Sequence, residues 1–156
     1  MEQQSQVSVS EIFTDHILSS DAIITKIKCG EWDEILSKLC SEKNNYVVIE
    51  YPYFKFVATA ETYDTIVSLI CSHIEKILKK KDSFSVHLNL KMLTLADIDK
   101  HKNFIQHLST FLKDKYPQKM DKCYIYNAPF VFSQLFHIIS MFIDKETQSK
   151  IVVFKP

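Results

Sequence analysis

The sequence predicts an α/β fold, a mostly parallel or mixed β-sheet flanked by helices. Three observations carry this reading. Short runs of β-branched and aromatic residues, "YVVIEYPYFKFVAT", "SFSVHLNLKML", "KCYIYNAP" and "KIVVF", are spread along residues 46–154. Between them lie segments with apolar residues at helical spacing, giving the order β–α–β–α–β–α–β. Strands alternating with helices argue for crossover-connected parallel pairs. The chain has 156 residues, enough for one domain with its own core, and its 46% apolar content is ordinary for one.

The elements follow in order. Residues 1–9 are polar and predict a frayed end. "SEIFTDHILSS" predicts a short helix capped by Ser10. "DAIITKIKCGEWDEILSKLCSEKNN" continues with helical signals on either side of Gly30, the one glycine of the chain. Pro52 interrupts the 46–59 run, which predicts two short strands meeting at a bend, at least one of them at an edge. Ile66, Leu69, Ile70, His73, Ile74 and Ile77 then form an amphipathic helical stripe, with Lys79–Lys81 at the favourable end of its dipole.

In the next strand Phe84, Val86, Leu88 and Leu90 share one face, and Ser85, His87, Asn89 and Lys91 share the other. A polar face in a parallel sheet points to solvent, a partner or a ligand cavity. Thr94 caps the following helix, Ile98, Phe104, Ile105, Leu108, Phe111 and Leu112 form its stripe, and Pro117 stops it. Right-handed crossovers place most helices on a common side of the sheet. After the 122–129 strand comes a helix from Phe130 to Ile143 whose polar residues are only Ser133, Gln134, His137 and Ser140. A helix apolar nearly all round is either central in a core or faces something apolar.

The composition excludes several functions. Nineteen basic residues, all Lys, balance nineteen acidic ones, so non-specific nucleic-acid binding is not expected. Without Arg, an anion site must use Lys, backbone N–H groups or helix N-termini. A single glycine rules out Gly-rich phosphate loops. Cys29, Cys40, Cys71 and Cys123 have no zinc spacing and read as reduced thiols. The six histidines form no HExxH, and no GxSxG elbow occurs. No catalytic residue, metal site or cofactor is therefore expected. The N-terminus does not read as a signal peptide, and no apolar run approaches the roughly 20 residues of a bilayer span. The expectation is a soluble, intracellular protein.

Residues 115–151, "KYPQKMDKCYIYNAPFVFSQLFHIISMFIDKETQSKI", resemble the Sec14-like, or CRAL-TRIO, lipid-binding family. The matching residues are Tyr116 and Pro117; Tyr124, Ile125, Asn127 and Pro129; Phe132 and Phe136; Phe142, Ile143 and Asp144; Thr147, Lys150 and Ile151. Upstream, "VHLNLKMLTL" is similar to a family strand, with Asn89 at an Asp position and Met92 at a Gly position. The sequence departs from the pattern at Gln118 (family Glu), Ser140 (Lys) and Met141 (Pro).

The resemblance implies one domain over residues 1–156, with a shortened helical part at 10–45 and a lipid-binding core at 46–154. It implies that the 130–143 helix is a gate over a lipid pocket. The implied headgroup residues are Thr147, Lys150 and Gln118. The implied pocket and gate residues are His87, Asn89, Tyr124, Tyr126, Phe130, Phe132, Leu135, Phe136, Ile139, Phe142 and Ile143. The expected ligand is a phospholipid, phosphatidylinositol or another anionic one, exchanged at a membrane surface by a cytoplasmic, peripherally membrane-associated monomer. The competing expectation is a non-transferring interaction or membrane-targeting module, Sec14-like or STAS-like, with no internal cavity.

Overall fold

The structure, a computed structural model, describes residues 12, 13 and 17–154. The expected frayed end and the Ser10 cap lie outside the described residues. Among the elements that lie wholly within the described residues, two helices precede the sheet, α1 (Ser20–Lys28) and α2 (Trp32–Leu39). The α1 helix starts where the Ser19 side chain accepts from the Ala22 N–H, and the chain breaks at Gly30, whose φ of 80° suits glycine.

Five strands follow: β1 (Cys40–Lys43), β2 (Tyr46–Glu50), β3 (Phe84–Asn89), β4 (Met120–Tyr126) and β5 (Ile151–Val153). They form one sheet in sequential order; β1 runs antiparallel to β2 and the remaining pairs are parallel. The sheet is therefore mixed. The sequence reading assigned 40–43 to a helical stretch; the polar "CSEK" carries no strand pattern and is held by pairing with β2.

Between β2 and β3 lie α3 (Tyr51–Val57) and α4 (Tyr63–Leu78). The aromatic run around Pro52 is thus a helix and not a second strand. Pro52 sits in its first turn, where a missing N–H costs nothing. Tyr53 is buried and its hydroxyl accepts from the Leu18 N–H at 3.2 Å, so tertiary packing overrides the local β preference. Between β3 and β4 the expected single helix is broken at His101 into α5 (Leu95–Lys100) and α6 (Lys102–Lys115). Thr94 caps α5 as expected, in a reciprocal capping box with Asp97. Between β4 and β5 lie α7 (Phe132–Ser140) and α8 (Lys145–Ser149).

With strands in sequential order, right-handed crossovers bring α4, α6 and α7 to one face of the sheet. The main core joins Ile66, Ile70 and Ile74 of α4 to Val47, Phe84 and Phe104. A second cluster seats Val131, Leu135 and Ile138 against Tyr51, Leu90, Leu93, Ile98 and Ile125. On the opposite sheet face Ile12 and Phe13 pack with Val48 and Tyr126.

Candidate functional site

The apolar sheet face looks into a cavity of about 540 Å³. Its floor is Val47, Ile49, Val86, Leu88, Cys123 and Ile125; its walls are Ile70 and Ile74 of α4, Leu108 and Leu112 of α6, and Phe132, Leu135, Phe136 and Ile139 of α7. This size and lining match a small-molecule or lipid site. The exposure pattern of β3 shows the cavity directly. Ser85, His87 and Asn89 are buried, whereas Val86 and Leu88, apolar and central in the sheet, are only half-buried. Packing normally produces the reverse. Here the helix layer stands off from the apolar face and leaves space over it.

Phe132, Leu135, Phe136, Ile139 and Ile143 line the cavity, as do Thr147, Lys150 and Gln118. Four pocket assignments from the sequence are corrected. His87, Asn89, Tyr124 and Tyr126 lie on the other sheet face, where pairing puts His87 beside Tyr124 and Asn89 beside Tyr126. The crossovers cover the apolar face, so the polar alternates turn away from the cavity. His87 Nδ1 is 2.7 Å from the Tyr126 hydroxyl, and the His87 ring stacks on Tyr124. Burial pushes the His87 pKa down to about 4. The Asn89 amide donates to Glu50 Oε1 at 3.1 Å, and its oxygen accepts from Asn127 Nδ2 at 2.9 Å. Asn89 therefore ties the C-terminal ends of β2, β3 and β4 together. Asn127, with φ of 54°, makes the turn out of β4 in a conformation asparagine tolerates.

Phe130 and Phe142 are not cavity residues either. Phe130 precedes α7 and is 92% exposed, and Phe142 packs against the second core cluster. The α7 helix is shorter than the expected 130–143 and keeps a polar side: Ser133, Gln134 and His137 are exposed. Its apolar residues divide between core and cavity.

The polar residues of the cavity gather where the chain enters β4 and β5. Among them are Gln118 before β4, Lys113 and Asp114 at the end of α6, and Asp144, Glu146, Thr147 and Lys150 around α8. The Thr147 N–H donates to the Asp144 carboxylate at 2.7 Å. That bond, with the positive charges of Lys113 and Lys150, holds Asp144 below the usual carboxylate range. Two lysines thus flank one exposed carboxylate. Lys113 was missed in the sequence because it falls on the solvated side of a helix stripe. Gln148 was missed as well; its side-chain amide donates to the Ser140 and Ile143 carbonyls at 3.2 and 3.1 Å.

The chemistry of the lining favours holding an apolar body over transforming one. Burial pushes the Cys123 thiol up to about 12, so at neutral pH it is an uncharged wall. Among the described residues no group of three or more His, Cys, Asp or Glu side chains could hold a metal ion. No helix of the described residues is long and apolar enough to cross a membrane.

Comparison with known proteins adds an independent line. A segment of the chain is 39% identical over 67 residues to the SEC14 cytosolic factor of Yarrowia lipolytica, covering 43% of this chain and 14% of that protein. The Sec14 cytosolic factor of Schizosaccharomyces pombe is 36% identical over 64 residues, 41% of this chain and 22% of that protein. The chain thus matches well under a third of the length of these relatives. The crystal structure of Sfh5 superposes with a TM-score of 0.61 at 17% identity, over 92% of this chain and 61% of that one, which speaks to the fold alone. The family model for the CRAL/TRIO domain matches residues 33–156, taking in all five strands and every wall of the cavity, and the chain belongs to this Sec14-like CRAL-TRIO family.

Proposed function

We propose that this protein is a non-catalytic lipid carrier that holds one glycerophospholipid of the phosphatidylinositol class in the sheet–helix cavity and exchanges it at membrane surfaces. The observation that carries the reading is the pair Val86 and Leu88, apolar residues of a central strand left half-buried above an apolar cavity of about 540 Å³. Leaving such surface unfilled is unfavourable, and each lipid CH₂ placed against it contributes roughly 0.8 kcal/mol. The aliphatic part lies between Leu88 and Ile125 below and Phe132, Phe136 and Ile139 above. The headgroup sits at the polar end, where Thr147 and Lys150 face the cavity and Lys113 supplies a second positive charge. Lysine suits a phosphate held as a point charge.

Membrane exchange is supported by the ends of α7. Phe130 before it and Met141 after it are 92% and 58% exposed, positions where large apolar side chains favour a lipid surface over water. A cytoplasmic monomer attaching transiently to membranes fits this reading, and the related Sec14 proteins are named cytosolic factors. The alternative of a cavity-free interaction module fits less well with so open an interior.

The test is lipid extraction and native mass spectrometry of the purified protein, with transfer of a labelled inositol phospholipid between vesicles. One equivalent of co-purifying glycerophospholipid and protein-dependent transfer are expected. Repeated recovery without lipid, together with transfer no faster than the protein-free rate, overturns the reading.

A further inference from the structure

We infer that the end of the sheet at which β2, β3 and β4 begin is an electrostatic docking edge for an anionic lipid surface. This rests on the reading of the protein as a lipid carrier, and adds where it attaches and to what kind of membrane. The first ground is convergence. Residues 43–45, 79–83 and 117–122 lie at the starts of these strands and hold six lysines against two aspartates, in a chain whose net charge is zero. The Ser85 N–H donates to the Asn45 carbonyl and the Phe84 N–H to the Lys119 carbonyl, both at 2.9 Å, so the three segments lie side by side. The Lys79 and Lys81 N–H groups are bonded back into the last turn of α4, to the Glu75 and Ile77 carbonyls. The lysine run therefore leaves the helix from a fixed backbone.

The second ground is that these charges are not used within the fold. Nearby, Lys115 is 3.2 Å from Glu75 and Lys76 is 3.8 Å from Glu42. Lys80, Lys81 and Lys119 are exposed and form no ion pair among the described residues. The negative end of the α4 dipole accounts for lysines that follow its last turn, but Lys119 belongs to a different loop. Like charges gathered from separate loops repel one another, and a surface of opposite charge relieves that repulsion.

The third ground is what surrounds the lysines. Among the described residues, none of the exposed large apolar side chains lies on the three segments. The edge thus lacks the aromatic anchors of a protein interface and the stacking platform of single-stranded nucleic acid. The chain has no arginine to grip a base edge or a phosphate through two bonds. Strongly hydrated point charges without an anchor suit a fluid layer of anionic headgroups. Position agrees with this. The α7 helix returns from the C-terminal end of β4 toward the start of β5, so Met141, 58% exposed, stands at this same end of the sheet. Gln118, next to Lys119 in the chain, lines the polar end of the cavity. One membrane meets the lysines, Met141 and that polar end together.

The protein is co-sedimented with vesicles of phosphatidylcholine alone and of phosphatidylcholine mixed with phosphatidylserine, in dilute buffer and in about 0.5 M salt. A preference of about tenfold or more for the anionic vesicles is expected, lost in high salt. A lysine near an anionic surface is worth roughly fivefold in partitioning, so Lys80→Gln combined with Lys119→Gln should lower binding to the anionic vesicles by about 25-fold. Lys28→Gln combined with Lys100→Gln removes the same charge from exposed positions elsewhere and should change binding less than about threefold. Circular dichroism should show both double variants folded, since none of the four side chains is buried. Equal losses in the two double variants, or no loss in either, overturn the docking edge, and continued lipid transfer by those proteins leaves the carrier reading standing. Tighter retention of poly-glutamate or duplex DNA than of the anionic vesicles assigns the edge to a different partner and also overturns the inference. Wild-type protein that binds neither vesicle and transfers no lipid overturns both the docking edge and the carrier reading.

Discussion

The Gln148 side-chain amide donates to the Ile143 carbonyl at 3.1 Å, and its reach to the Ser140 carbonyl at 3.2 Å closes the C-terminal end of α7. These carbonyls belong to the chain that ends the helix and leaves it, where backbone acceptors lack helical partners. Gln148→Ala removes both bonds from a half-buried site, at about 1 kcal/mol or slightly more. A lower denaturation midpoint is expected, with faster amide exchange concentrated in residues 138–143. Exchange accelerated evenly across the chain would mean that Gln148 does not anchor this helix in particular.

A second relationship concerns Met92. Its φ of 75° lies in the left-handed region, and its backbone carbonyl accepts from Lys55 Nζ at 2.9 Å. A side chain there costs about 1–2 kcal/mol, while glycine adds back up to about 1 kcal/mol in unfolded-state entropy. Met92→Gly should therefore stabilise by roughly 0.5 kcal/mol, or about 1–2 °C. A thermal melt decides this, and a lower midpoint refutes it. The family resemblance placed a glycine position here, and the backbone conformation supplies the physical reason.

Lys150 lines the polar end of the cavity and adds positive charge beside Asp144. Its partly exposed setting limits a charge-assisted contact to about 1 kcal/mol, roughly fivefold in affinity. Lys150→Ala should weaken anionic-lipid binding by that factor and leave a neutral lipid of the same chain unaffected. The melting temperature should stay within a degree or two. Equal loss for charged and neutral lipids would remove Lys150 from the headgroup role.

The distribution of legible and illegible features has physical causes. The β3 alternation was readable because side chains on a strand repeat every two residues, and it correctly sorted Val86 and Leu88 from His87 and Asn89. It could not say which face the helices cover. That depends on strand order and crossover hand, so the polar face was wrongly given to the pocket. Thr94 was readable because a capping box is local. The α3 helix was not, since Tyr51–Val57 has strand-like composition and becomes helical only when Tyr53 is buried against the N-terminal helices. Gln148 and Lys113 carry no periodic signal; both matter only once α6, α7 and α8 converge.

His87 makes stability depend on pH. Burial lowers its pKa from 6.5 to about 4, so between those values the unfolded chain binds a proton that the folded one refuses. Stability is therefore complete above pH 6.5 and falls as pH drops toward 4, by about 1.4 kcal/mol per unit of pKa displacement. Burial also lowers His101, which adds in the same direction. Urea melts at pH 7, 5.5 and 4.5 should show the midpoint declining, with a smaller decline in His87→Gln. An identical decline in the variant would locate the acid sensitivity elsewhere.

Among the described residues, Phe130 is the most exposed of the large apolar side chains, 92% open to solvent, and it stands at the entrance to α7. Because it is outside both the core and the cavity, replacing it separates membrane contact from lipid holding. Burying a phenylalanine side chain contributes about 1.5–3 kcal/mol, and partial insertion at an interface is worth roughly half of that. Phe130→Asp should therefore reduce partitioning onto phospholipid vesicles by about tenfold, a difference of about 1.4 kcal/mol. The denaturation midpoint and the stoichiometry of bound lipid should not change, since no buried contact is lost. Vesicle co-sedimentation alongside native mass spectrometry reads both quantities. If partitioning is unaltered while lipid content stays intact, the protein meets membranes through a different surface. If lipid content falls instead, Phe130 closes the cavity rather than touching the bilayer.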